Sequence, residues 1–355
     1  MSSFFRHLLA ASAFAFGLIT AANAAGPAVI RIGTPDQSVG GTPSGGIALT
    51  TLLDVRKALE TEFEKDGIRI EWTFFKGAGP AVNEALANKQ LDFVYLGDLA
   101  AIIGRAGGLE TRLLVPTRGA NAFLVATPDS GIEKLEDLKG KRLTVFKGTA
   151  YQLSLDRALA RVGLAERDLQ VVNLDWNAAL AALSAKQLDA DWAGVSVLTL
   201  REKGLARLVT STKVLGRDST FQAGFLGTQA FISAQPEITQ RFVDVIVRHQ
   251  HWISQAENLG EFFTVTAARS GVPLSLGQAE YEGDDLKFRF SPRIDEFVIE
   301  GLTASVAQAK ELGLIRRSID VKAWVEPRFA DRAVETLGLA GFWPLYDRQG
   351  APVAP

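Results

Sequence analysis

The chain has 355 residues, of which 47% are apolar and 22% are charged, as in a globular protein with one large core or two modest ones. Its 38 basic and 40 acidic residues leave a formal net charge of −2. This balance excludes non-specific binding to nucleic acid or to a membrane surface, because both require a basic excess, but it permits a local anion site.

The first 24 residues are typical of a secretory signal peptide. Arg6 and His7 precede an apolar run over residues 8–19, and Ala22-Asn23-Ala24 offers the small residues that signal peptidase accepts. We expect cleavage after Ala24 and a soluble periplasmic protein; the alternative, an uncleaved membrane anchor, requires a longer apolar run. Because the chain has no cysteine, we expect neither disulfide bonds nor a lipid anchor.

Apolar runs rich in β-branched residues alternate with amphipathic stretches in the next part of the chain. This pattern predicts strands at residues 29–34, 68–75, 92–97 and 111–117, and helices at residues 47–65, 80–88 and 99–107. Strand–helix–strand order of this kind predicts a mostly parallel sheet flanked by helices.

A second series follows, and then a helical C-terminal part. Strands are predicted at residues 123–127, 142–146, 170–174, 189–193 and 207–210, and helices at residues 135–141, 150–162, 177–186, 236–257, 296–312 and 321–336. The order predicts an α/β protein of two lobes, with residues 25–117 and 228–355 in lobe 1 and residues 118–227 in lobe 2. We place the two hinge crossings near residues 116–121 and 220–227.

Several loops between a predicted strand and helix share one composition, in which small residues and glycine lead directly into the helix. They are residues 40–46, 76–80, 95–98 and 147–150. A helix start offers unpaired N–H groups and partial positive charge, and glycine lets a ligand approach that backbone. Such ends around one crevice would bind a small anion, with charge added by Lys76, Arg118 and Lys147. Alternatively, each glycine serves only its own turn, and the lysines are solvated.

Aromatic and basic side chains elsewhere are further candidates. Trp192, at the end of a predicted strand, is placed to stack on a ligand, as are Tyr95, Tyr151 and Phe221. Packing in the core is the alternative for each of them. Arg293 is a candidate anion contact, and a surface ion pair is its alternative.

Residues for catalysis are weakly represented, so we expect neither an enzyme nor a cofactor. His249 and His251 are two residues apart on a predicted helix and face different sides, which disfavours a shared metal. Ser44 has no His/Asp partners in a hydrolase order, and the phosphate-binding motif Gly-x-x-x-x-Gly-Lys-Ser/Thr does not occur.

Three stretches carry a family resemblance. Residues 71–93 contain a Lys-Gly-Ala-Gly-Pro loop and a Leu-Asp-Phe strand, Gly97-Asp98 leads into a small-residue helix, and residues 135–149 contain Asp-Leu-Lys-Gly-Lys and Lys-Gly-Thr. As an ordered set these stretches resemble the periplasmic binding proteins of aliphatic sulfonate, taurine and nitrate importers. The similarity runs over nearly the whole mature chain.

The resemblance implies a hinged periplasmic-binding-protein fold, type II-like, that closes on a small anion of the sulfonate class. It also implies delivery to an ABC permease in the inner membrane. By the same match, the ligand contacts come from Ser44, Gly45, Gly46, Gly77, Ala78, Gly79, Asp98, Gly148, Thr149 and Trp192.

Two positions bear on the ligand class. Asp98 suits an amino or hydroxyl group on a taurine-like zwitterion, or else it is a helix N-cap. Many relatives carry Trp-Asp-Pro where this chain has Trp192-Ala193-Gly194, so we expect a different cleft wall and an altered ligand.

Two rival functions stay open. One is an exported enzyme or pyrimidine-precursor protein on the same scaffold, although the related thiamine-pathway chemistry needs histidines and cysteines, and this chain has three histidines and no cysteine. The other is a sensor ectodomain, which the lack of a second membrane segment disfavours. We expect a monomer that binds its small ligand without nucleic acid or metal.

Overall fold

Two five-stranded sheets organise the computed structural model of this chain, which describes residues 26–40 and 42–353. The predicted signal peptide, residues 1–24, lies outside the described residues. In chain order the strands are β1 (Val29–Pro35), β2 (Arg69–Phe75), β3 (Phe93–Gly97), β4 (Thr111–Ala120), β5 (Phe123–Ala126), β6 (Arg142–Thr144), β7 (Gln170–Val172), β8 (Ala190–Ala193), β9 (Arg207–Ser211) and β10 (Phe221–Thr228).

In each sheet four strands run in the same direction and one runs antiparallel to them. The first sheet has the order β2-β1-β3-β10-β4, in which β10 runs antiparallel to both of its neighbours. The second has the order β7-β6-β8-β5-β9, in which β5 is antiparallel to both of its neighbours. We call each sheet with the helices packed on it a lobe, the first and the second.

Helices cover both sheets and dominate the C-terminal part. They are α1 (Leu49–Val55), α2 (Ala58–Phe63), α3 (Ala78–Ala87), α4 (Asp98–Ala106), α5 (Ala150–Ala160), α6 (Trp176–Ser184), α7 (Leu198–Glu202), α8 (Thr212–Leu215), α9 (Gln229–Ala234), α10 (Pro236–Ile253), α11 (Leu259–Ser270), α12 (Leu274–Tyr281), α13 (Leu286–Arg289), α14 (Glu296–Glu311), α15 (Val321–Trp324) and α16 (Arg328–Thr336). No helix among the described residues is both long and apolar enough to cross a bilayer.

The C-terminal helices return to the first sheet. Phe93 of β3 stacks on Phe242 of α10, with ring centroids 3.9 Å apart, and both side chains are fully buried. Val298 and Leu302 of α14 share a second buried cluster with Leu226 of β10. Burial of these apolar side chains stabilises the first lobe and fixes the sheet edge at which the ligand loops lie.

The structure differs from the predicted elements at several places, and α11 and α12 lie in a stretch for which no element was predicted. Residues 220–227, for which a hinge crossing and no strand was predicted, lie almost entirely in β10, which pairs with the end of β4 at the other predicted crossing, residues 116–121. The chain passes from the second sheet to the first between β9 and β10. The helix predicted over residues 47–65 is divided into α1 and α2, because Lys57 adopts a left-handed φ of 52°. The helix predicted over residues 321–336 is divided into α15 and α16, and Pro327 precedes the second.

Candidate ligand-binding cleft

A cavity of about 130 Å³ lies where loops of the two lobes meet. The first lobe contributes Gly46 and Gly97, and the second lobe contributes Thr149 and Ser196. A space of this size holds several water molecules or one small organic molecule, and it is too small for a peptide or a nucleotide.

Three helices begin at the wall of this cavity. Gly79 in the first turn of α3, Gly97 at the N-cap of α4, and Thr149 at the N-cap of α5 all line it. In none of these three helices does the side chain of the N-cap residue accept a hydrogen bond, although in α4 the N–H of Leu99 donates to the carboxylate of Asp98. The hydroxyl of Thr149 donates instead to the carbonyl of Phe146, at 2.6 Å. The first N–H groups and the positive ends of three helix dipoles therefore converge on the cavity, which favours an anion.

Glycine is required where the helix starts approach one another. A Cβ on Gly97 would lie 2.6 Å from the Cβ of Ala150, and a Cβ on Gly79 would lie 2.3 Å from the Cβ of Ala100. Gly148, with a left-handed φ of 75°, faces Pro80 across the same boundary. These glycines let the helix starts come together at distances that no other residue permits.

The loop before α1 is held by a buried carboxylate. Asp36 Oδ1 accepts hydrogen bonds from the hydroxyl of Ser38, at 2.7 Å, and from the backbone N–H of Ser44, at 3.1 Å. The loop then turns at Gly46, whose φ is 77°. This arrangement places Gly45 and Gly46 on the cavity wall, while Ser44 itself is buried behind them.

The charged side chains on the wall are Glu280 of α12 and Arg289 of α13, among the residues that the structure describes. The guanidinium of Arg289 donates to the carboxylates of Glu280 and Asp284. Burial raises the pKa of Glu280, and Arg289 opposes that rise. Burial alone would lower the pKa of Arg289, but Glu280 and Asp284 outweigh it, so that the pKa lies above its usual value and the guanidinium stays charged.

Aromatic rings form much of the remaining wall. Tyr151 packs edge-to-face against Phe221, with ring centroids 4.9 Å apart, and Trp176 lies 6.1 Å from the same tyrosine ring. The hydroxyl of Tyr95 hydrogen-bonds to Thr117 at 2.7 Å, and the hydroxyl of Tyr281 donates to the carbonyl of Ile47 at 3.1 Å. Tyr95 and Tyr281 thus present their rings to the cavity while their hydroxyl groups are held by the protein.

Contacts across the cleft show that the lobes are closed. Arg157 of α5 donates to the hydroxyl of Ser305, at 2.7 Å, and to the side chain of Gln308, at 3.0 Å, both on α14. Its guanidinium also lies 3.7 Å from the buried carboxylate of Asp98. Ser275 of α12 donates to Glu202 of α7 at 2.7 Å.

A family model described as NMT1/THI5 like matches residues 63–255, which is more than half of the chain. The chain belongs to the NMT1/THI5-like family. The matched segment runs from α2 to beyond the end of α10, so it includes the starts of α3, α4 and α5.

Curated relatives of this NMT1/THI5-like protein are named as binding proteins. A binding protein of Brucella abortus is 29% identical over 189 residues, 52% of this chain and 57% of the relative. The taurine-binding periplasmic protein of Escherichia coli is 26% identical over 229 residues, 62% of this chain and 69% of the relative. The chain thus covers less than two thirds of the Brucella relative's length.

Solved structures match over a larger share. The periplasmic sulfonate-binding protein SsuA from Methylobacillus flagellatus is 29% identical, with a TM-score of 0.76, over 90% of this chain and 97% of that one. The alkanesulfonate-binding protein SsuA from Xanthomonas axonopodis, bound to MOPS, is 25% identical, with a TM-score of 0.69. The match covers 85% of this chain and 99% of that one. The two-lobe periplasmic-binding-protein fold predicted from the sequence is confirmed.

The structure brings part of the predicted site together. Of the candidate contacts, these line the cavity: Gly45, Gly46, Gly79, Thr149 and Phe221. Ala78 and Gly148 are chain neighbours of lining residues, whereas Lys76 and Gly77 are exposed on the loop before α3. Tyr95 and Tyr151, which the sequence offered as stacking residues, are also on the wall.

Four other candidates of this NMT1/THI5-like chain lie outside the cavity wall, and each has a different structural role. Arg118 is fully buried and forms an ion pair with Asp295 at 3.0 Å. Arg293 forms an ion pair with Asp331, also at 3.0 Å. Trp192 is 0% exposed in the core of the second lobe.

Asp98 is the fourth of these candidates. It is the first residue of α4, with Gly97 at the N-cap position, so it is not the cap itself. Its carboxylate accepts from the N–H of Leu99, at 2.8 Å, and from the hydroxyl of Ser305, at 3.0 Å. These bonds hold the carboxylate behind the cavity wall, toward α14.

Sequence reasoning missed the polar corner made by Asn121, Glu280 and Arg289, and it also missed Trp176. Nothing in the local sequence distinguishes Glu280 or Arg289 from surface charges of a helical segment. The departure at Trp192-Ala193-Gly194 was a usable signal, because Gly194 and Val195 do line the cavity.

Proposed function

We propose that the protein is the periplasmic solute-binding component of an ABC importer. It captures a small organic anion, an aliphatic sulfonate or a taurine-like compound, between its lobes and delivers it to the permease. The observation that carries this proposal is the convergence of three uncapped helix starts, from both lobes, on one small cavity. The names of the relatives, which include sulfonate-binding and taurine-binding proteins, support the same ligand class.

An anion in this cavity stabilises the closed state. In an open state the N-terminus of α5 is separated from the N-termini of α3 and α4, and each is solvated. A sulfonate has three oxygens, so it can accept hydrogen bonds from both lobes at once, and only the closed state provides them together. The ligand shifts the population toward closure because it binds that state more tightly. The closed surface then docks on the permease.

The proposal is tested by isothermal titration calorimetry with a panel of alkanesulfonates, taurine, aromatic sulfonates and nitrate. We expect at least one sulfonate to bind with micromolar or tighter affinity. Native mass spectrometry of protein purified without denaturation identifies any ligand that it retains. No heat with any member of the panel and no retained anion would overturn the ligand class.

An enzyme on the same scaffold is the alternative that the fold itself raises. The desulfurization enzyme DSZB shares the fold, at 16% identity and a TM-score of 0.64. A solved mutant of that enzyme, in which a serine replaces a cysteine, holds biphenyl-2-sulfinic acid, and the present chain has no cysteine at any position. Incubation of the protein with each bound sulfonate, followed by mass spectrometry for desulfonated product, separates the two functions, and we expect no turnover.

A further inference from the structure

Glu280 lines the cavity and carries an unsatisfied carboxylate acceptor. The residue is 7% exposed, and its Oε1 accepts from the side-chain amide of Asn121, at 3.5 Å, and from the guanidinium of Arg289. Its other carboxylate oxygen, Oε2, is buried without a hydrogen-bond partner. A buried carboxylate oxygen without a donor is costly, so its presence at a ligand cavity indicates a donor that comes with the ligand.

Arg289 does not supply that donor, and it is not free to bind the anion either. One terminal nitrogen donates to Glu280 Oε1, and the other donates to the carbonyl of Glu280 and to Asp284. Asp284 is in turn paired with Lys213 at 3.0 Å. The two negative charges, of Glu280 and Asp284, cancel the two positive charges, of Arg289 and Lys213. The helix starts therefore attract the anionic group of a ligand more strongly than this cluster does. Burial raises the pKa of Glu280 and Arg289 opposes that rise, so a second positive charge beside the carboxylate would favour its ionised form further.

We propose that Glu280 binds a protonated amine of the ligand, so that the protein selects amino-substituted sulfonates over plain alkanesulfonates. The ammonium group donates to Oε2, while the sulfonate accepts from the starts of α3, α4 and α5. Tyr95, Tyr151 and Tyr281 line the same cavity, and their rings favour a cation nearby. A protonated amine suits the site better than a hydroxyl group, because it neutralises the carboxylate charge and also donates the missing hydrogen bond. This inference rests on the proposed function and specifies its ligand.

The test compares ligands that differ only at the terminal group. Calorimetry with 2-aminoethanesulfonate, 2-hydroxyethanesulfonate and ethanesulfonate, and with 3-aminopropanesulfonate and propanesulfonate, is run on the intact mature protein. We expect the better amino compound to bind about ten- to a hundredfold more tightly than its unsubstituted partner, the range for one charge-assisted hydrogen bond. Glu280→Gln is expected to reduce this preference, measured as the ratio of the two affinities on the same variant, to threefold or less.

Glu282→Gln is the matched control, because Glu282 is an exposed neighbour that does not line the cavity. We expect it to retain the full preference. Equal affinities of the wild-type protein for amino and unsubstituted sulfonates, or equal affinities for amino and hydroxyl compounds, would overturn the inference even if Glu280→Gln fails to fold. Failure of the proposed function is a different result, in which no sulfonate of either kind binds.

Discussion

Gly97 and Ala150 meet across the closed cleft, so closely that a Cβ on Gly97 would lie 2.6 Å from the Cβ of Ala150. One residue is the N-cap of α4 in the first lobe, and the other is the first residue of α5 in the second. Gly97 has an ordinary φ of −70°, so its backbone does not require glycine. Its missing side chain is needed because two helix starts come together at this point.

Gly97→Ala is therefore expected to impair closure without impairing folding. We expect ligand affinity to fall at least tenfold, because the added methyl group keeps α4 and α5 apart, while the melting temperature without ligand changes by less than about 3 °C. Calorimetry with the best sulfonate and thermal unfolding by circular dichroism measure the two effects. Gly260→Ala is the control, since a Cβ there meets nothing within 4 Å. An unchanged affinity of Gly97→Ala contradicts the role assigned to this contact.

Arg157 stabilises the closed state from the other side of α5. Arg157→Ala removes its hydrogen bonds to Ser305 and Gln308 and leaves the carboxylate of Asp98 without its nearby charge. We expect a shift toward the open state, seen as a larger radius of gyration in small-angle X-ray scattering without ligand, and about tenfold weaker ligand binding.

The double variant Arg157→Ala with Asp98→Asn separates closure from stability. Burial raises the pKa of Asp98 and Arg157 opposes that rise, so removal of the arginine alone destabilises an ionised buried carboxylate. We expect Asp98→Asn to restore thermal stability but not affinity. Arg167→Ala, at an exposed position of the same lobe, serves as the surface control. If the double variant recovers full affinity, Arg157 acts on Asp98 and not on closure.

The fold was largely predictable from the alternation of buried strands with amphipathic helices, but β10 was not. Its sequence contains Gly224 and Gly227, which suggested a flexible crossing. In the structure a Cβ on Gly224 would lie 2.5 Å from Leu113 Cδ1 and 2.7 Å from the carbonyl oxygen of Val115, and a Cβ on Gly227 would lie 3.0 Å from the ring of Phe93. These glycines are present because neighbouring strands and helices fill the space, which a single sequence does not show.

The candidate site, like the fold, was predictable from the sequence only in part. The glycine loops before α3 and α5 were predictable, because the local sequence shows small residues and glycine that lead directly into a helix. The Glu280–Arg289 corner was not, since it depends on α12 and α13 folding back against Asn121 at the junction between β4 and β5. Arg118 was misassigned for the same reason: its partner Asp295 lies far along the chain.

Arg118 is expected to act on stability and not on ligand binding. Its guanidinium donates to Asp295, which also accepts from Tyr346 N at 3.0 Å. Arg118→Met leaves that carboxylate buried without its partner, so we expect a loss of about 3–5 kcal/mol in the free energy of unfolding. Urea denaturation measures this loss, and calorimetry at a temperature where the variant is folded is expected to show affinity within about threefold of the wild type. A selective loss of affinity with unchanged stability would return Arg118 to the ligand site.

Asp191 gives the folded protein a pH dependence that its surface charges do not. It is buried in β8, its Oδ2 has no hydrogen-bond partner, and burial raises its pKa to about 8. Between the ordinary carboxyl pKa and this value, the folded state holds a proton that the unfolded state has released. The contribution of Asp191 to stability therefore falls as pH rises from about 4 to 8, by up to about 1.4 kcal/mol per pH unit, and is constant above that range.

Asp191→Asn removes this proton linkage, because an amide resembles the neutral acid and does not titrate. We expect the variant to be more stable than the wild type at pH 8 and to lose most of that advantage by pH 5, as measured by urea denaturation at each unit of pH. Glu335→Gln, which replaces an exposed carboxylate, is expected to follow the wild-type curve. Parallel curves for wild type and Asp191→Asn across pH 5–8 would mean that Asp191 is ionised in the folded protein. In that case Thr144 on the neighbouring strand β6, whose hydroxyl also lacks a partner, has to rotate toward it.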